Sequence, residues 1–237
     1  MSQELSLLLI ATISIAFIHT LTGPDHYLPF IVISKAKKWS LAKTAWLTAL
    51  CGIGHVGSSV IIGFIGIALG IAVGKLEFIE GVRGNIISWV FTAFGLMYLV
   101  WRIIQAIRNK PHKHIHFHGT GDLHVHEHTH HHEHLHIHEN GEKQNLTPWV
   151  LFTIFVFGPC EPLIPLVMYP AAKNNYYDLI LVTIIFSTVT IFTMLSLVLV
   201  ASYGLKLLPM KVMEKYNHAL AGGTIFLCGM GMLFLGL

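Results

Sequence analysis

Six runs of apolar residues separated by polar stretches set the plan of this chain: Leu5 to Ser34, Thr44 to Gly74, Asn85 to Ile107, Pro148 to Ala172, Leu179 to Leu208 and Ala219 to Leu237. A helix needs about 20 consecutive apolar residues to cross the hydrocarbon core of a bilayer. The pattern therefore predicts an all-α polytopic membrane protein with six transmembrane helices. The first two runs are long for straight spans, and Gly23-Pro24 and Pro29 interrupt the first. Proline removes a backbone donor, so a bend or break is expected there. The long polar stretch after the third run divides the chain into a first three-helix unit (1–108), a loop (109–147) and a second three-helix unit (148–237).

The two units share a pattern. At an offset of 135 residues "TGPDHYLPFIV" faces "FGPCEPLIPLV", setting Gly23 over Gly158, Pro24 over Pro159, Asp25 over Cys160, His26 over Glu161, Leu28 over Leu163 and Val32 over Val167. "FGLMYL" in the third run resembles "GMGMLFL" in the sixth. A duplication with an odd number of spans per half inverts one half relative to the other, an arrangement found in secondary transporters whose substrate sites lie at broken helices. The expected architecture is two inverted three-helix repeats, each with a broken first helix.

Composition agrees with a membrane protein: 54% of the residues are hydrophobic and 11% charged, where a soluble domain carries about 25% charged residues. The formal charge of +3 is small and unevenly placed, so it argues orientation rather than nucleic-acid binding. Of the Lys and Arg residues, twelve fall on the side away from the termini and only Lys75, Arg83 and Lys173 on the terminal side. By the positive-inside rule the termini are expected outside the cytoplasm, the long loop inside it, and the chain in a bacterial inner membrane. The five tryptophans, Trp39, Trp46, Trp89, Trp101 and Trp149, fall near expected span ends, as in an aromatic belt. Glu4 precedes the first apolar run with no basic residue before it, so no removable signal peptide is expected. Cys51, Cys160 and Cys228 all lie within apolar runs, which does not suggest a disulfide framework.

Against this background the ionisable residues inside the spans stand out. His19 and His26 are two helical turns apart with Asp25 beside the second, His55 lies near the centre of the second run in "GIGHVGSSV", and Cys160 and Glu161 lie between Pro159 and Pro162. An Asp at the centre of a spanning helix costs roughly 2.5 to 3.5 kcal/mol on insertion scales, so such groups face a cavity and mark an ion or substrate path. Imidazole, carboxylate and thiolate together suit nickel, cobalt or zinc, whereas magnesium and calcium prefer oxygen cages. His19, Asp25, His26, His55, Cys160 and Glu161 are therefore the candidate metal residues.

The loop holds thirteen further histidines: His112, His114, His116, His118, His124, His126, His128, His130, His131, His132, His134, His136 and His138. In "HKHIHFH", "LHVHEH" and "HLHIH" they occupy alternate positions, which places them on one face of an extended chain, and "HGTGD" supplies a turn. A small β-hairpin serving as an accessory metal site of low selectivity is expected, with a disordered polar tract as the alternative.

These residues give the chain a resemblance to the nickel/cobalt transporter superfamily, in particular its six-span urease-accessory-like and nickel/cobalt-efflux-like branch. That family carries a His followed closely by Asp-His in one helix, matched here by His19 and Asp25-His26, with five intervening residues in place of the usual four. "GHVGSSV" is similar to its second-helix motif, and the His-rich loop resembles that of the efflux members. The resemblance implies a secondary transporter of divalent transition-metal cations, with metal as substrate and no organic cofactor. "GPCEPLIP" also resembles the helix of cytochrome-c-biogenesis thiol oxidoreductases, although Asp25 stands where their partner cysteine would be. A sulfite-exporter-like anion carrier is the third reading, opposed by the acidic Asp25 and Glu161. The chain is expected not to be an enzyme, and to meet a metal ion, the bilayer, and a cytoplasmic metallochaperone or a second copy of itself. No P-loop motif is present, so an ion gradient, the membrane potential or a separate subunit would drive transport.

Overall fold

The computed structural model describes residues 3–108, 112–117, 123–128, 146–207 and 217–235. Helix α1 (Gln3–Thr22) leads through a single 3-10 turn at Pro24–His26 into the short α2 (Leu28–Ala36). Two long helices follow, α3 (Leu41–Ala68) and α4 (Val73–Arg108). After two extended segments, β1 (His112–Phe117) and β2 (Leu123–His128), the chain continues as α5 (Leu146–Phe157), α6 (Leu163–Ala172), α7 (Tyr176–Leu207) and α8 (Asn217–Leu235). β1 and β2 pair antiparallel, with His114 opposite His126. The proposed turn, with His118, and the histidines from His130 to His138 lie outside the described residues.

Among the described residues, five helices are long and apolar enough to cross a membrane: α1, α3, α4, α7 and α8. Their outward faces are apolar too, with Ile10, Trp46, Ile53, Phe78, Phe192 and Leu227 all exposed. A water-soluble protein rarely leaves so much apolar surface uncovered, and these features mark a membrane protein. The fourth apolar run is split into α5 and α6, each shorter than a span.

Both breaks have a local cause. Pro24 has no N–H, so the ladder of α1 ends with the Gly23 N–H donating to His19 O at 3.0 Å. Pro29 in the first turn of α2 costs nothing, since a donor there has no helical partner. In the second half Pro159 and Pro162 flank the gap between α5 and α6.

Helix α4 begins at Val73 rather than at Asn85. The charged residues from Lys75 to Arg83, read from the sequence as a polar connection, are helical. An i,i+3 ion pair explains why: Arg83 Nη2 lies 3.0 Å from Glu80 Oε2, and Glu80 is fully buried. The longer helix also moves Trp89 away from a span end, and Trp39 is buried in a cluster with Ile33, Phe91 and Leu151. The other four tryptophans are exposed.

Helix packing brings the two breaks together. α1 packs on α7 and α5 on α3, while α2 packs on α7 and α6 on α3. α3 also meets α7, and α4 meets α8. The α4–α8 contact is close because its meeting points are glycines: a Cβ on Gly222 would fall 2.6 Å from the Leu99 backbone N, and one on Gly95 would run into the backbone of Phe226. In lipid, where apolar burial does not drive helix association, such close backbone approach is a main source of packing energy.

Candidate metal site at the first helix break

The break after α1 turns three histidines toward one another. His19 lies in the last turn of α1, His26 in the 3-10 turn and His55 midway along α3. The His19 and His26 ring centroids are 4.8 Å apart and those of His26 and His55 5.0 Å, both edge to face. One ring nitrogen from each of the three lies within 4.8 Å of the others. His26 and His55 are each 3% exposed.

Hydrogen bonding fixes which nitrogen of the central ring donates. His26 Nδ1 lies 3.1 Å from Gly23 O and 3.1 Å from Asp25 Oδ1. A carbonyl and a carboxylate only accept, so Nδ1 is the donor and the lone pair of the neutral ring sits on Nε2. Nε2 is buried without a hydrogen-bond partner, as is His19 Nε2. A buried polar atom left unpaired costs about 1 to 3 kcal/mol, so a group that coordinates or solvates these imidazoles would stabilise the cluster. The Asp25–His26 contact has the form that orients metal-ligating histidines, a carboxylate on one ring nitrogen and the other directed at the ion.

A cavity of about 530 Å³ adjoins the three rings. Its lining includes His19, Asp25, His26 and His55, Asn85 and Ser88 of α4, and Glu161 and Pro162 of the second break. Its volume is many times the roughly 30 Å³ that a water molecule occupies, so it has room for a hydrated cation beside the imidazoles.

The structure thus brings His19, His26 and His55 into one group, sets Asp25 against His26, and leaves Glu161 exposed on the cavity wall outside that group. Cys160 faces elsewhere. It is fully buried in an apolar cluster with Ala16, Val56, Leu163 and Phe186. Cys51 and Cys228 lie in two other clusters. Two polar residues not singled out from the sequence, Ser59 and Arg83, contact the second break through Cys160 N and Gly158 O. The signal available was weak, because a serine in a helix and a charge between apolar runs are both commonplace.

Comparison with protein-family models, with curated proteins and with solved structures finds no match for this chain.

Proposed function

We propose that this chain is a secondary transporter that moves a divalent transition-metal cation, with nickel, cobalt and zinc the candidate substrates, through a site formed by His19, His26 and His55. The observation that carries this reading is the buried group of imidazoles whose ring nitrogens lie within 4.8 Å of one another with Nε2 atoms of His19 and His26 unpaired. Neutral imidazole suits zinc, nickel and copper far better than magnesium or calcium. Asp25 supplies negative charge next to the site and holds His26 in the ligating tautomer. The short sequence resemblance to nickel/cobalt transporters rests on these same residues.

In this reading α5 and α6 together make the remaining span, and the two halves are inverted copies. The packing supports a two-fold relation between the halves, since exchanging α1, α2, α3 and α4 for α5, α6, α7 and α8 turns the α1–α7 contact into α5–α3 and the α2–α7 contact into α6–α3, all of which occur, and the odd number of spans per half makes that relation an inversion. The charge asymmetry supports termini outside the cytoplasm. The His-rich segment serves as an accessory metal collector on the cytoplasmic side, and the register of β1 and β2, with His112, His114 and His116 opposite His128, His126 and His124, suits that role. A metallochaperone would deliver to or receive from this segment.

The test is flux in proteoliposomes, with zinc, nickel and cobalt offered separately and His26→Ala and His55→Ala as controls. Metal-dependent uptake that both substitutions abolish supports the reading. Uptake unchanged by either places the path elsewhere.

A further inference from the structure

The polar groups at the start of α4 converge on the second break. Glu80 Oε2 accepts from Ser59 Oγ at 2.9 Å and pairs with Arg83 Nη2 at 3.0 Å. Arg83 Nη2 also lies 2.7 Å from Ser59 Oγ and 2.9 Å from Gly158 O, so its two N–H groups are shared among these acceptors. Ser59 Oγ accepts in turn from the Cys160 N–H at 3.0 Å. The one hydroxyl donates once and accepts twice, which uses its full capacity.

Gly158 O and Cys160 N flank Pro159, where the helical ladder is interrupted, and such groups need partners inside a membrane. The first break provides its own, since Gly23 O accepts from both the His26 backbone N–H and the His26 ring. At the second break Gly158 O and the Cys160 N–H take their partners from α4 and α3. The strip so held lies against the metal site: a Cβ on Gly158 would fall 3.3 Å from His55 Nδ1. Ser59 follows His55 by one turn of α3, and Ser58 Oγ donates to His55 O at 2.9 Å while accepting from Arg83 Nη2 at 3.3 Å.

We infer that Ser59, Glu80 and Arg83 are positioning residues for the third imidazole: they pin Gly158–Cys160 against α3 and so fix the wall on which His55 presents its ring to the cation. The functional half of this inference rests on the transport reading, whereas the brace itself does not.

Two measurements on the full chain separate these halves. In detergent, Cys160 is titrated with N-ethylmaleimide and each cysteine is quantified by mass spectrometry. Ser59→Ala and Arg83→Ala raise Cys160 labelling about tenfold while Cys51 and Cys228 stay protected, and Ser59→Thr, which keeps the hydroxyl, labels like the unaltered chain. In proteoliposomes the half-saturating zinc concentration of both alanine variants rises about tenfold, in line with the loss of groups that orient metal ligands, and Ser59→Thr again restores it. Should Arg83→Ala not fold, Ser59→Ala, which removes a single oxygen, decides. Cys160 remaining unreactive in Ser59→Ala, or becoming reactive with no change in half-saturating zinc, overturns the inference, as does equal exposure of all three cysteines. Absence of any flux in the unaltered chain would sink the transport reading instead, with the labelling still deciding the brace.

Discussion

Asp25 offers the sharpest test of the site, because its geometry assigns it a role through His26. Its Oδ1 accepts from His26 Nδ1 at 3.1 Å, and Gly23 O shares that donor. Replacing Asp25 with Asn keeps an acceptor beside Nδ1 and removes only the charge, whereas Leu removes both. Loss of such an outer partner typically costs 10- to 100-fold in metal affinity, or about 1.4 to 2.8 kcal/mol at 1.4 kcal/mol per tenfold. Asp25→Asn should sit near the lower bound and Asp25→Leu near the upper. His26→Ala removes a ligand outright and should weaken binding further. Since Asp25 acts through His26, its effect should largely vanish once His26 is gone, so the double variant Asp25→Asn/His26→Ala should match His26→Ala alone. The assay is zinc titration against a chelator of known affinity, in a chain whose loop histidines are replaced by glutamine so that the intramembrane site alone titrates. If Asp25→Asn weakens binding as much as His26→Ala, and the two losses add in the double variant, Asp25 coordinates the ion itself and the role argued here is wrong.

Other outcomes can be checked alongside. Gly222→Ala puts a methyl group 2.6 Å from Leu99 N and should destabilise the α4–α8 contact by about 1 to 3 kcal/mol; thermal unfolding in detergent reads it, with Gly204→Ala, which meets nothing within 4 Å, as the neutral control. The ion pair between Lys173 Nζ and Glu4 Oε2, 2.9 Å apart on the surface, should contribute nothing measurable, so Glu4→Ala should leave the melting temperature unchanged. Deleting 111–141 should shift the metal concentration at which flux responds and spare flux at saturating metal; a dead deletion variant would move the essential site into the loop. A single cysteine at position 119 should resist an impermeant reagent in intact cells, and ready labelling there would reverse the proposed orientation.

His19, Asp25, His26 and His55 could be found from the sequence because ionisable groups in an apolar run have few uses, and Gly23-Pro24 marked the break that gathers them. Their division of labour was not legible. The sequence groups Asp25 with the histidines because spacing carries no information about which ring nitrogen a carboxylate meets, and the structure adds that its Oδ1 lies 3.1 Å from His26 Nδ1. Cys160 shows a different limit: a thiol between prolines reads equally as a ligand or as a small apolar side chain, and here it packs with Ala16 and Phe186. The hydropathy rule that places the other helices starts α4 too late, at Asn85 rather than Val73. Glu80 and Arg83 lower the local hydropathy as charges in a loop would, although paired to each other and to Ser59 they are helical and largely buried.

The contrast between the two breaks bears on how the chain is made. The break near Gly23 is complete within residues 19 to 27 and can take shape as soon as that segment leaves the ribosome. The break near Pro159 needs Ser59 and Arg83 already in place, and both precede it in the order of synthesis. The first half thus carries the partners of the Pro159 break before that break is made, while the long helices of the two halves pack on each other. Supplied as separate polypeptides, residues 148–237 should keep Cys160 protected from thiol reagents only when residues 1–108 are made alongside them.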